Sequence, residues 1–138
     1  MEITLEEKTR LCALAADERK ARDIVVLDVH AISTVADRFL ICSGTSDRQV
    51  KAIADAISEA LATQGEKPFA KEGYQQGTWI LMDCGDIVVH VFDEETRAFY
   101  DLEHLWHQAP RVEVPEIAAS AASTLSPRAL LVEEGELL

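Results

Sequence analysis

Three groups of residues have the types and spacing that chemistry needs. Gly44-Thr45-Ser46 precedes an apolar-periodic segment, so its backbone amides would stand at a helix N-terminus, where a phosphate can bind. A nucleotide-using transferase built on that turn would also need an Asp-x-Asp pair to hold metal. The nearest acidic pair, in Asp83-Cys84-Gly85-Asp86, has a different spacing and falls in a turn, and Ser46 as a plain N-cap explains the same residues. Asp86 and His90 share a strand face and, with Asp83, could begin a metal site. A closed site takes about four ligands, and no fourth presents itself. Cys42 and Cys84 lie in or beside strand-like segments with no histidine at a useful local spacing, where a cysteine is an inert core residue. No catalytic residue, metal or cofactor is expected.

The group that resists a purely structural explanation is aromatic and acidic: Trp79, Leu81 and His90, then Tyr100, Glu103 and Trp106, with Asp83 and Asp86 near them. Tyr and Trp anchors dominate protein interfaces. Trp79 and His90 belong to the stretch Gly77 to Phe92, which reads as two apolar strands joined by a tight Cys84-Gly85 turn. That turn would set Asp83 against Asp86, Met82 against Ile87, Leu81 against Val88, Ile80 against Val89 and Trp79 against His90. Because side chains alternate along a strand, Ile80, Met82, Ile87, Val89 and Val91 make a core face. Trp79, Leu81 and Val88 share the other face with His90, Asp83 and Asp86. Two arrangements fit this second face: a covering helix that makes Trp79 core, or an unfinished face that serves as an interaction surface.

Around the hairpin the chain alternates helix and strand. Thr4-x-x-Glu7 fits a capping box opening a helix to about Lys20 or Ala21, with Leu5, Thr9, Cys12 and Ala16 on one face and Leu11, Leu14 and Ala15 on its edge. Asp23 to Val29 reads as a buried strand, and Arg38 to Cys42 as its antiparallel neighbour, because the link between them is too short for a crossover helix. Ser46-x-x-Gln49 is a second capping box, followed by Val50, Ile53, Ala54, Ile57 and Leu61 at helical spacing, with Gly65 as the stop. Pro68 to Glu72 fits a short edge strand. Glu94 and Glu95 open a last helix that ends near His107 and carries Phe99, Leu102, Leu105 and Trp106, with Tyr100 on another side. The expected fold class is α/β, a mixed sheet of about five strands with helices. Residues 1–107 would form the domain, and 108–138, containing Ala, Ser and Pro and acidic toward the end, a tail.

The chain has 138 residues, enough for one domain with a sizeable core. Its 13 Lys and Arg against 25 Asp and Glu give a net charge of −12, which disfavours direct binding to nucleic acid phosphate and suits a basic protein partner. Three widely spaced cysteines without a Cys-x-x-Cys pair fit reduced thiols. The N-terminus is acidic and lacks the apolar block of a signal peptide, and no apolar run approaches a membrane span, so a soluble cytoplasmic protein is expected.

Three blocks, in order, carry a resemblance: Asp37 to Ser46, Trp79 to Phe92, and Arg97 to Trp106, with the Asp23 to Val29 strand ahead of them. Together they resemble the ribosomal silencing factor family, also called Iojap-like, from the first helix to about His107. The resemblance implies a nucleotidyltransferase-like α/β fold without the catalytic acidic pair. It implies binding to the large ribosomal subunit through its fourteenth protein, where a bound factor obstructs joining of the small subunit and lowers translation when nutrients are scarce, and a homodimer when free. The contact surface would include Trp79, Leu81 and Tyr100, with His90 and Glu103 nearby, while Asp83, Asp86 and Glu103 could pair with basic residues at the rim.

Overall fold

Thr4 opens the first helix as its spacing predicts: its hydroxyl accepts from the Glu7 amide at 3.1 Å, and the Glu7 carboxylate accepts from the Thr4 amide at 3.3 Å. The computed structural model describes residues 3–117. In chain order the elements are α1 (Leu5–Glu18), β1 (Arg22–Asp28), β2 (Arg38–Gly44), α2 (Asp47–Ala62), β3 (Ala70–Glu72), β4 (Trp79–Asp83), β5 (Ile87–Asp93), α3 (Glu94–Tyr100) and α4 (Leu102–Leu105). The five strands form one mixed sheet in the order β1-β2-β5-β4-β3. Only β2 and β5 run parallel, joined by the excursion through α2; the remaining pairs are antiparallel. This is the expected α/β class.

Each face of the sheet has its own core. On one side α2 lays down Val50, Ile53, Ala54, Ile57 and Leu61, and α1 the small residues Cys12, Ala13 and Ala16, against Leu40, Cys42, Ile80, Met82, Val89 and Val91. On the other, Leu27, Val29, Phe39, Ile41, Val88 and Phe92 form a second cluster, against which Trp79, Leu81, Leu102 and Trp106 pack. β2, central and covered on both sides, is buried along its whole length.

Several expectations need correction. The hairpin loop is Gly85-Asp86, one residue later than expected: the Cys84 amide donates to the Ile87 carbonyl at 2.9 Å, and Gly85 takes φ +89° as the first loop residue. Trp79 therefore opposes Phe92, and Leu81 opposes His90. The shift spans two residues of partner register, so parity is kept and the side chains of β4 and β5 stay on their expected faces. β1 is an edge strand rather than a fully buried one, and a bulge at Arg22 to Val25, with Asp23 at φ +49°, exposes its start. The single last helix divides in two at Asp101, whose backbone is left-handed (φ 47°, ψ 57°), a conformation Asp tolerates better than most residues. The Ser46 box is half formed. Ser46 accepts from the Gln49 amide, but the Gln49 side chain turns to Thr45 instead of the Ser46 amide.

Packing continues past His107. The Asp28 amide donates to the Pro110 carbonyl and the Val112 amide to the Val26 carbonyl, both at 2.8 Å, so this segment lines the outer edge of β1. Ala109 is buried, and Val112, Val114 and Ile117 pack against the α1 side. The rest of the segment read as a tail lies outside the described residues.

Buried cations pin the elements together. Lys8 of α1 donates to the Cys84 carbonyl at 2.7 Å and meets Asp86 at 3.0 Å and Glu66 at 3.5 Å, clamping the helix to the hairpin turn. Burial pushes the Lys8 ammonium down, but the hydrogen bond and charge of Asp86, with Glu66, more than offset this and hold it above the ordinary lysine range. Arg38 bonds Thr9 at 2.8 Å and pairs with Glu6. Removing the main charged partner of Lys8 leaves a buried cation with only the Cys84 carbonyl and the more distant Glu66. Asp86→Ala is expected to lower unfolding free energy by about 2 kcal/mol, below the range for a fully buried pair because Asp86 is itself partly exposed. Urea denaturation measures it.

Candidate functional site

The site is built on the second face of the sheet, where β4 and β5 meet α3. Trp79 is half-buried. Its indole stacks on Phe92 (centroids 5.0 Å apart, planes at 27°) and meets Tyr100 of α3 at 4.7 Å. Its Nε1–H donates to Nδ1 of His90 at 3.2 Å. Tyr100 is 50 % exposed, and its neighbour Phe99, edge-on at 5.0 Å, is 80 % exposed. Thr78, Glu95 and Thr96 complete a shallow groove with these aromatics. Leu81, half-buried, continues the apolar strip along β4.

What holds α3 there is Arg97, the one buried residue of that helix. Its guanidinium donates to Ser43 Oγ at 3.1 Å, the Arg22 carbonyl at 3.2 Å and the Asp23 carbonyl at 2.7 Å, and pairs with Glu103 at 3.2 Å. Asp93 caps the helix, accepting from the Thr96 amide at 2.7 Å.

Of the residues singled out from sequence, Trp79, Leu81, His90 and Tyr100 come together, and Glu103 pairs with Arg97, the residue that seats α3. His90, however, is buried, 5 % exposed in the central strand β5, so it lies beneath the surface rather than on it. Burial lowers its pKa from the usual 6.5 to about 4. Asp83 stays at the far end of β4, accepting from the Gly85 amide at 3.0 Å. Asp86, expected opposite Asp83 on the face that carries Trp79, turns to Lys8 on α1 instead. Phe99 and Leu105 (69 % exposed), grouped in the sequence with the apolar positions of the last helix, lie on the surface. The buried Arg97 fixes the rotation of α3 and so turns Phe99 outward.

The chemical alternatives find little here. At the Gly44-Thr45-Ser46 turn the Gln49 side-chain oxygen already accepts from the Thr45 amide and hydroxyl (2.7 and 2.9 Å), and Ser46 occupies the Gln49 amide. Among the described residues no group of His, Cys, Asp and Glu is arranged to hold a metal ion. Burial pushes the thiols of Cys42 and Cys84 up to about 12 and about 11, and that of Cys12 upward as well, so none is an activated nucleophile. No helix among the described residues is long and apolar enough to cross a membrane.

The cluster is thus a partly exposed aromatic patch carried by the sheet and α3. Comparison with known proteins gives the family. The family model described as "Ribosomal silencing factor during starvation" matches residues 2–131. The chain belongs to the ribosomal silencing factor family. Ribosomal silencing factor RsfS of Halalkalibacterium halodurans is 46% identical over 109 residues, 79% of this chain and 93% of that protein. A mouse relative named "Mitochondrial assembly of ribosomal large subunit protein 1" is 35% identical over 78% of this chain and 48% of its own length. A crystal structure from Chromobacterium violaceum superposes with a TM-score of 0.74 at 35% identity, covering 76% of this chain and 88% of that one. Silencing factors are regulators by name.

The depressed pKa of His90 has a consequence for stability. The unfolded chain takes up the proton near pH 6.5 and the folded chain only near pH 4, so stability present above pH 6.5 is lost as pH falls toward 4. The expected loss from this group is about 3 kcal/mol. Urea denaturation of wild type and the non-titrating His90→Asn at pH 7 and pH 4 should show the wild type losing more, by that amount.

Proposed function

We propose that this protein silences translation by occupancy: it binds the large ribosomal subunit through that subunit's fourteenth protein and obstructs joining of the small subunit, lowering translation under nutrient limitation. The observation that supports this best is the Trp79–Tyr100–Phe99 cluster, aromatic area exposed on a preformed support. Such anchors carry most of the energy of an interface. The surrounding charge fits a basic protein partner: Glu95 and Asp101 are exposed near the aromatics, and the whole chain carries −12. A mouse relative named for assembly of the ribosomal large subunit points to the same subunit. No chemical step is needed, because a folded domain seated on the joining face excludes the other subunit by volume. The protein would act in the cytoplasm and form a homodimer when not bound.

Co-sedimentation with separated ribosomal subunits tests this reading. Binding to large subunits alone is expected, with Trp79→Ala weakening it by about 2 kcal/mol or more and Tyr100→Ala by less. Both should still unfold in one cooperative thermal transition, that of Trp79→Ala at a lower temperature because the ring also packs on Phe92. Binding to neither subunit at physiological salt would overturn the proposal.

Phe99→Ala tests the part of the surface that sequence reasoning left out. With the ring four-fifths exposed, the substitution should leave stability within about 0.5 kcal/mol and still weaken large-subunit binding severalfold.

A further inference from the structure

We infer that His90 is a positioning residue for the binding surface: its Nδ1 lone pair fixes the indole of Trp79 in the orientation presented to the partner. The inference rests on the reading above, in which Trp79 is a contact. His90 cannot itself be one at 5 % exposure. Its link to the surface is the bond from Trp79 Nε1–H at 3.2 Å.

That bond dictates the ring's protonation. An indole nitrogen only donates, so Nδ1 must accept and the histidine proton must sit on Nε2. Nε2 is buried and has no hydrogen-bond partner; the Phe39 ring stands nearly perpendicular, at 78°, with its centroid 5.1 Å from that of the imidazole. An orphaned buried donor is a cost that an apolar residue at this core position would avoid. The compensating feature on the page is the acceptor given to Trp79. The other contacts of the indole, Phe92 on one side and Tyr100 on another, are aromatic packing, which constrains distance more than rotation of the ring within its plane. The hydrogen bond supplies that missing direction. Burial also keeps the imidazole neutral until pH falls to about 4, so the acceptor persists throughout the physiological range.

The test has a free-protein arm and a binding arm. In ¹⁵N-labelled protein at pH 7, long-range ¹H–¹⁵N correlation should show His90 protonated at Nε2, with Nδ1 a bare acceptor for the Trp79 indole proton; the Nδ1–H tautomer would overturn the inference without reference to any partner. In the binding arm, large ribosomal subunits are titrated with wild type, Trp79→Ala, His90→Asn and His90→Gln. The Asn side-chain oxygen falls near the place of Nδ1, and the Gln oxygen reaches toward that of Nε2. Asn should restore most of the affinity, and Gln should lose roughly tenfold, the scale of a directional bond lost from a part-buried donor. If Trp79→Ala weakens binding while Asn and Gln bind equally, the positioning role is overturned and the surface stands. If Trp79→Ala itself binds as wild type, the reading of Trp79 as a contact fails first, and with it any role for His90 in binding.

Discussion

Arg97 is the tie on which the second face depends. α3 and α4 are short, and helices of that length do not hold themselves together in water. α3 has no apolar residue among its buried positions, so a strip of hydrophobic contacts does not seat it. A buried guanidinium does, reaching Ser43 on β2, two carbonyls at the bulged start of β1, and Glu103 beyond the Asp101 break. Because these bonds converge from several elements, the orientation of α3 is fixed in rotation as well as distance. The bulge in β1 and the left-handed turn at Asp101 are parts of the same arrangement: one presents carbonyls to the guanidinium, the other brings Glu103 back to it.

With α3 fixed, the aromatic surface becomes a matter of layers. Phe92 supports Trp79 from the sheet, His90 bonds it from the side, and Tyr100 closes on it from the helix. Only the outermost groups remain in water. In the proposed complex such a surface would lose little side-chain freedom, so more of its contact energy would appear as affinity. In that complex the acidic charge of the chain would affect how often the partners meet, and the layered aromatics how long they stay.

Much of the fold was legible locally. α2 follows from five apolar residues at helical spacing behind a Ser cap, and α1 from its capping box. The faces of the hairpin followed from alternation, and they survived a misplaced turn because the register error was even. The longer-range features were not legible. Nothing beside Lys8 announces that it meets Asp86, seventy-odd residues later in the chain, and nothing beside Arg97 names Ser43 as its partner. His90 looked like a surface anchor because alternation places it with Trp79; its burial comes from the central place of β5 in the sheet, a fact of strand order. Phe99 was grouped with the apolar positions for the same reason, since the rotation of a short helix was set by a buried charge that periodicity does not record. At the candidate site, then, alternation and residue type singled out aromatics that the fold does bring together, but not which of them are exposed and which are buried beneath.

The parallel pairing of β2 with β5 bears on how the molecule comes into being. Arg38 finds Ile87, and Gly44 finds Asp93, across a long intervening excursion, so the two central strands cannot join until most of the domain has been synthesised. Until then α1, β1, β2 and α2 constitute a half-sheet whose inner edge is open and whose apolar residues lack their opposite layer. The β1 edge closes later still, when Pro110 and Val112 arrive. The nascent chain thus passes through a stage with unpaired strand and exposed core, the stage at which larger α/β proteins are open to aggregation and to chaperones. The surface that includes Trp79 and Tyr100 therefore assembles only after β4, β5 and α3 have followed the half-sheet out, because its aromatics come from those later elements.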